Sequence, residues 1–385
     1  MKNIYLDYAA TTPVDPRVVK AMLPWFTEKF GNTMSLHGFG QEAKVALEES
    51  REQVASLIGA KPNEIIFTGS ATESNNTALK GIALANKNKG SHIIISSIEH
   101  PCIVESACWL ELQGFKITRL PVDKYGIVNL KDVEAAIKPE TILVSVIHAS
   151  NEIGVIQPIA EIGKICRAKG VLFHTDAVQS FGKMPIDVNK MNIDLLTASS
   201  HKIYGPKGAA LLFVREGVKI TPLLHGGGQE KGLRSSTINL PAIVGFAKAC
   251  EIYKKESIKE NQRITKLRDK LIQGVLRKIT GSHLNGHPKK RLANNVNFWF
   301  EFVEGESIVI QLDLLGVAAS TGSACSSAKL EPSHVLLAIG LKAEQAHGSL
   351  RLTLGRWTKE SDISFILKVL PKIIKNLRKI SPLKG

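Results

Sequence analysis

Four short stretches carry side chains suited to anion binding or covalent chemistry. In FTGSATESNN (67–76) an apolar run ends, small residues turn the chain and a helical pattern begins. Amides at a helix N-terminus favour an anion such as phosphate, and Ser70 and Thr72 add hydroxyls. No GK[ST] follows, so this is not a Walker A loop. A plain strand-to-helix turn with Thr72 as N-cap also accounts for the segment. FHTDAVQS places Asp176 after an apolar run, where a carboxylate can pair with a protonated ring nitrogen or cap a helix. In SSHKIYGPKGAALLF, Lys202 follows an apolar stretch and precedes a Gly/Pro turn. A sheltered lysine there falls below its usual pKa of about 10.4 and becomes a nucleophile toward carbonyl carbon; an ordinary loop lysine fits too. Ser199 and His201 flank it as donors to phosphate. STGSACSSAK surrounds Cys325 with small and polar residues, which suits a mobile, partly exposed thiol needing activation from a pKa of about 8.5. Cys102, Cys108, Cys166 and Cys250 fall in helical patterns, where core packing explains them.

These groups sit in a chain of 385 residues, 44% hydrophobic and 22% charged. That length suggests two or three domains, and the composition supports a buried core rather than disorder. No apolar run is long enough for a membrane span, and MKNIYLDYAATTPVD has no secretory apolar region. Five cysteines with no CxxC argue against a disulfide framework or zinc module and point to the reducing cytoplasm. The net charge is +15, and it is uneven: residues 254–290 carry 11 basic and 3 acidic side chains, and residues 355–385 carry 8 and 2. Such runs are solvated helix faces or a surface for an acidic partner, protein or RNA.

The elements that must position these groups alternate. Strand patterns at 64–67, 92–96, 116–120, 141–148, 171–176, 193–199 and 209–214 are interleaved with helical ones at 41–58, 73–86, 103–112 and 159–169. This predicts a mostly parallel sheet covered on both faces, with ligands at the carboxyl ends of its strands. Past Pro241 a long charged helix runs over 242–279, and 281–290 reads as a hinge or surface turn. Strands at 295–302, 317–320 and 349–354 with helices at 307–315 and 359–379 then form a smaller α+β unit.

Phosphate turn, ring-nitrogen acid, lysine and thiol form a set. With YLDYAATT, SNEIG, DAVQ, SHKIYGPKG, GGGQEKGLRSST, STGSACSS and SLRLTLGR, they make the chain resemble the class V aminotransferase family of pyridoxal phosphate enzymes. Within it the chain is similar to cysteine desulfurases of the NifS/IscS branch with a long, mobile cysteine loop. The resemblance implies an α/β fold of fold type I. A large cofactor-binding domain (15–250) would hold a seven-stranded, mainly parallel sheet, and a smaller α+β domain (1–14 and 251–385) the cysteine loop. It further implies pyridoxal 5'-phosphate carried on Lys202, with Asp176 at the pyridine nitrogen, Gln179 at the phenolic oxygen and His100 stacked on the ring. Asn151 would contact cofactor or substrate. Ala71, Thr72, Ser199, Ser200 and His201 would bind phosphate, joined by Thr237 from the partner subunit. Arg351 would clamp the substrate carboxylate. Lys202 or His100 would move protons, and Cys325 would accept sulfur from L-cysteine as a persulfide, leaving L-alanine.

Other expectations follow from the same likeness. The enzyme would be a cytoplasmic homodimer without intrinsic metal, Cys325 serving at most as a transient iron–sulfur ligand. Its sulfur would pass to an acidic acceptor or scaffold protein, for iron–sulfur cluster assembly or RNA thiolation, without direct nucleic-acid binding. A selenocysteine lyase or another class V enzyme is the alternative on this fold, and a non-enzymatic basic binding module the alternative off it. Three positions depart from the family's usual residues: Tyr8 for Asn, Thr33 for Pro and Ser236 for Gly.

Overall fold

The structure, a computed structural model, describes residues 3–322 and 331–382. Its first part runs β1 (Ile4–Tyr5), α1 (Pro16–Met22), α2 (Pro24–Thr27), α3 (Gly38–Ser56), β2 (Ile65–Thr68), α4 (Ala71–Ala85), β3 (His92–Ser96), α5 (Pro101–Leu112), β4 (Lys116–Leu120), α6 (Leu130–Ala136), β5 (Thr141–Ser145), α7 (Ile159–Lys169), β6 (Leu172–Asp176), β7 (Leu195–Ser199) and β8 (Ala210–Val214). Strands β2 to β8 form one sheet in the order β2, β8, β7, β6, β5, β3, β4. Every pairing is parallel except those of β8, which is antiparallel to β2 and β7. Alternation explains how the sheet is covered twice. Ile65, Phe67, Ile94, Val144 and Leu196 enter one core, whereas Ile66, Ile93, Ile95, Leu143 and Leu195 enter the other.

The second part comprises α8 (Leu240–Lys278), β9 (Ser282–Leu284), β10 (Asn295–Phe300), α9 (Gly305–Asp313), β11 (Val317–Ala318), α10 (His334–Ala338), α11 (Ala343–His347), β12 (Ser349–Thr353) and α12 (Glu360–Ile380). Antiparallel β9, β10 and β12 pack under α8 and α12. In α12 the apolar set Ile363, Ile366, Leu367, Leu370, Ile373 and Ile374 follows helical periodicity and is buried. The chain's start joins this core: β1 pairs with β11, and Ile4 and Leu6 are buried there. Helix α8 serves both parts, its residues to Tyr253 lying in the first core and those from Ile264 in the second.

The strand and helix patterns read from the sequence appear here with ends moved by a few residues. One reading is corrected. Residues 281–290 are not only a turn, because His283 and Leu284 pair with Trp299 and Phe298 of β10. The Gly and Pro residues of that segment outweighed the three-residue strand between them. Two of the departures have a visible setting. Tyr8 is buried, and its ring lies over Gly355 so closely that a Cβ there would meet it at 2.2 Å. Ser236 is exposed, its N–H donating to Gln229 Oε1 at 3.1 Å.

Candidate active site

The carboxyl ends of β2, β3, β5, β6 and β7 open on one side of the sheet, where a cavity of about 400 Å³ collects Ala71, Thr72, His100, Asn151, Asp176, Gln179, Ser199, His201, Lys202 and Arg351. Seven of these come from first-part loops, turns or strand ends, Ala71 and Thr72 from the start of α4, and Arg351 arrives on β12. The phosphate turn follows β2. Ser70, not Thr72, caps α4, accepting from Glu73 N–H at 3.1 Å. The chain needs an extended residue before the helix, and Ser70 at ψ 159° meets that geometry. Ala71 and Thr72 thus occupy the first turn, whose amides have no intrahelical acceptor.

Asp176 ends β6 with both oxygens engaged: Val178 N–H donates to Oδ1 at 2.9 Å and Asn75 Nδ2 to Oδ2 at 2.7 Å. Lys202 lies in the short turn after β7 and donates from Nζ to the carbonyls of Ala9 and Ala10 at 2.6 and 2.7 Å. Gln179 Nε2 donates to the same Ala9 carbonyl at 2.9 Å, and its Oε1 accepts from Lys183 Nζ at 3.4 Å. The buried Lys183 amine is pushed down to about 7 by desolvation and by Lys202. His201 meets Thr11 Oγ1 through Nδ1 at 3.1 Å. Burial and the neighbouring lysines 202, 207 and 183 lower it to about 4, so the ring is neutral.

His100 caps α5 ahead of Pro101, and burial lowers its pKa. Arg351 is buried, with Nη2 donating to Asp7 Oδ1 at 2.9 Å and Nη1 to the Asn151 carbonyl at 3.1 Å. Among the described residues its Nε has no hydrogen-bond partner, nor has Asn75 Oδ1. Two buried acids lie nearby, Glu152 lining the cavity and Glu99 preceding His100 in the chain. Glu152 accepts from Ser333 Oγ at 2.5 Å and is raised to about 7 by desolvation. Glu99 accepts from Ser96 Oγ and Ile147 N–H through Oε1 and is raised to about 8 by desolvation, while its Oε2 is unpartnered.

Two expected site residues among those described do not line this cavity, Ser200 and Thr237, the latter expected only from the partner subunit. The Ser200 side chain is fully buried off the cavity, so close under Gly205 that a Cβ there would meet Ser200 Oγ at 2.0 Å. Thr237 is exposed and does not line the cavity. Cys325 lies outside the described residues. The cysteines also need correcting. Cys166 and Cys250 are core residues, but Cys108 is half-buried beside Arg119, and Cys102 lines the cavity. Asn75, Asp7, Glu99, Glu152 and Lys183 were missed. Asn75 had a signal: it lies on the same helical face as Ala78, Leu79 and Ile82, and a polar residue on an apolar stripe must have a buried partner.

A parallel sheet, a lysine and an acid facing one cavity, and an arginine closing it from a second core define an α/β enzyme for an anionic substrate and an anionic cofactor. The chain belongs to the aminotransferase class-V family, whose model matches residues 4–366. It is 54% identical over 382 residues to the cysteine desulfurase IscS of Methanosarcina thermophila, covering 99% of this chain and 94% of that one. It is 55% identical to cysteine desulfurase IscS 1 of Archaeoglobus fulgidus, covering 98% and 99%. A solved NifS-like protein superposes with a TM-score of 0.92 at 38% identity, covering 98% of this chain and 100% of that chain.

Proposed function

We propose that the chain is a pyridoxal phosphate-dependent cysteine desulfurase that converts L-cysteine to L-alanine and leaves a persulfide on Cys325. The observation that carries this reading is the convergence of Lys202, Asp176 and Arg351 on one cavity at the strand ends. The residues fit the cofactor. Lys202 Nζ offers an amine at the cavity, where it donates to the carbonyls of Ala9 and Ala10. Asp176 offers a fixed carboxylate for a ring N–H, and the first turn of α4 with Ser199 and His201 offers donors for phosphate. Gln179 would support the phenolic oxygen and His100 would hold the ring. When bound, the cofactor supplies an electron sink that makes the cysteine Cα acidic and its C–S bond labile.

The protein's own groups do the rest. Arg351, with Asp7 and Asn151 fixing two of its nitrogens, would offer its guanidinium at the cavity to the substrate carboxylate. Lys202 and His100 would hold and move protons. Cys325 takes the sulfur: the substrate C–S bond breaks, an S–S bond forms and a proton ends on the alanine methyl. The persulfide then serves iron–sulfur cluster assembly or RNA thiolation. The test is mass spectrometry after adding L-cysteine. Added sulfur on Cys325 supports the reading, and its absence, with no alanine formed, overturns it.

The same reading makes the enzyme a cytoplasmic homodimer with a large domain of residues 15–250 and a small one of 1–14 and 251–385. Leu23, Phe26, Phe30, Met34, Leu36 and Phe39 are each more than half exposed along one stretch of chain, an apolar surface that favours a partner. Thr237, exposed and off its own cavity, is then free to complete the phosphate site of the other subunit. For the acceptor, a groove between α8 and α12 lined by Lys266, Lys270, Arg277 and Lys278 supports an acidic partner. Among the described residues no helix is long and apolar enough to cross a membrane.

A further inference from the structure

We propose that Cys102 is a positioning residue for His100 and that, together with the first turn of α5, it holds the imidazole as the tautomer protonated on Nε2. The backbone N–H of Cys102 donates to His100 Nδ1 at 3.2 Å, the bond by which His100 caps α5. An amide N–H cannot accept, so Nδ1 must present a lone pair. Cys102 Sγ lies 3.0 Å from the same nitrogen. The acceptor side of the sulfur is already used, because Asn75 Nδ2 donates to it at 3.2 Å while also holding Asp176 at 2.7 Å. Burial and the Asp176 carboxylate push the thiol up to about 12, so it keeps its proton and donates it toward Nδ1.

The imidazole is neutral for reasons that come from every side. Burial lowers its pKa first. Lys202 and His334 lower it further, against the opposing pull of Asp176. A neutral ring has one proton, and with the Nδ1 lone pair shared by two donors that proton is on Nε2. His100 therefore meets the cavity as a donor. It gives a proton or a hydrogen bond at Nε2, and the group that removes a proton is another one, Lys202 being the amine in the same cavity. This inference rests on the proposed desulfurase reading only for what the donor acts upon.

The experiment uses the full-length holoprotein labelled with [15N]histidine, the His100 signals being those lost in His100→Gln. Long-range nitrogen–proton spectra at neutral pH should show a protonated Nε2 and an unprotonated Nδ1. Cys102→Ala removes the thiol donor but keeps the backbone one. His100 should then bind its proton roughly 2- to 10-fold more tightly, the weight of one neutral hydrogen bond. Cys102→Ser restores a donor and should return the value toward wild type, with cofactor retention unchanged in both variants. An Nδ1–H tautomer, an imidazolium at neutral pH, or equal shifts in the Ala and Ser variants would overturn the assignment. Should the variants not fold, the wild-type tautomer alone decides it. Should the tautomer be as described while cysteine yields no alanine, the desulfurase reading fails and the positioning role stands.

Discussion

Glu99→Gln tests the physics of the buried acid beside His100. The carboxyl is fully buried, its Oε1 takes both Ser96 Oγ and Ile147 N–H, and its Oε2 has no partner. Burial raises its pKa to about 8 from an ordinary 4.5. The folded protein therefore binds a proton that the unfolded chain has released. Its contribution to stability is complete below pH of about 4.5 and is lost as pH rises through about 8. Each unit of separation is worth about 1.4 kcal/mol, so the full swing is at most about 5 kcal/mol, and relaxation around the charge brings it to a few. Other groups pull the opposite way. His148 and His201, depressed to about 4, add stability as pH rises toward about 6.5, and Lys183, depressed to about 7, adds it above 7. Subtracting the variant from the wild type cancels them. Glutamine keeps the two accepted bonds and cannot ionise. Urea midpoints measured from pH 5 to 9 should show wild type losing stability relative to the variant across about pH 5 to 8. A pH-independent difference would refute the argument.

Lys202→Ala should lose covalent cofactor after borohydride reduction yet retain some by dialysis-resistant binding, since Asp176 and the α4 turn remain; reduction that still fixes cofactor would move the attachment elsewhere. Cys325→Ser should bind pyridoxal phosphate and cysteine but form no persulfide and release essentially no alanine, as read by mass spectrometry and an alanine assay. Association with an acidic acceptor should slow as salt rises, because exposed charges are screened beyond about 8 Å at physiological ionic strength, while turnover without acceptor changes little. Phe30→Lys, placed in the exposed apolar stretch, should shift the chain toward monomer by light scattering and weaken cofactor retention through loss of Thr237; a fully active monomer would contradict the shared site.

How much of this was legible in the sequence depends on where each signal lives. The sheet was readable because its strands are continuous apolar runs between helical repeats, the signature of burial on both faces. Lys202 and Asp176 were readable because each follows such a run, where the fold must open, whereas His100 was implied only by the family resemblance. The cap of α4 was misassigned by two residues because Ser70 and Thr72 have equal chemistry, and only ψ separates them. Cys102 was read as packing because its spacing is helical. Its position at the start of α5, two residues after a histidine cap, carried the information instead. Asp7 and Glu152 were invisible because their meaning is long-range. Asp7 matters through Arg351, 344 residues away, and Glu152 through Ser333, 181 residues away.

Those long-range links also explain why the cavity needs the whole chain. Arg351 is fixed by Asp7 from the N-terminal segment and by the Asn151 carbonyl after β5, while its own strand bonds Ser320 through both backbone groups. The strand that begins the chain pairs with the one that precedes Ser320. A substrate carboxylate meeting Arg351 therefore touches both cores through one guanidinium. His334 adds a second tie, its Nε2 meeting the Glu99 carbonyl at 2.9 Å, one residue from His100. The residue before the histidine cap of α5 and the arginine of the cavity are thus each tied to segments distant in sequence. Loss of either tie should cost orientation in the cavity before it costs fold, because the two apolar cores close without them.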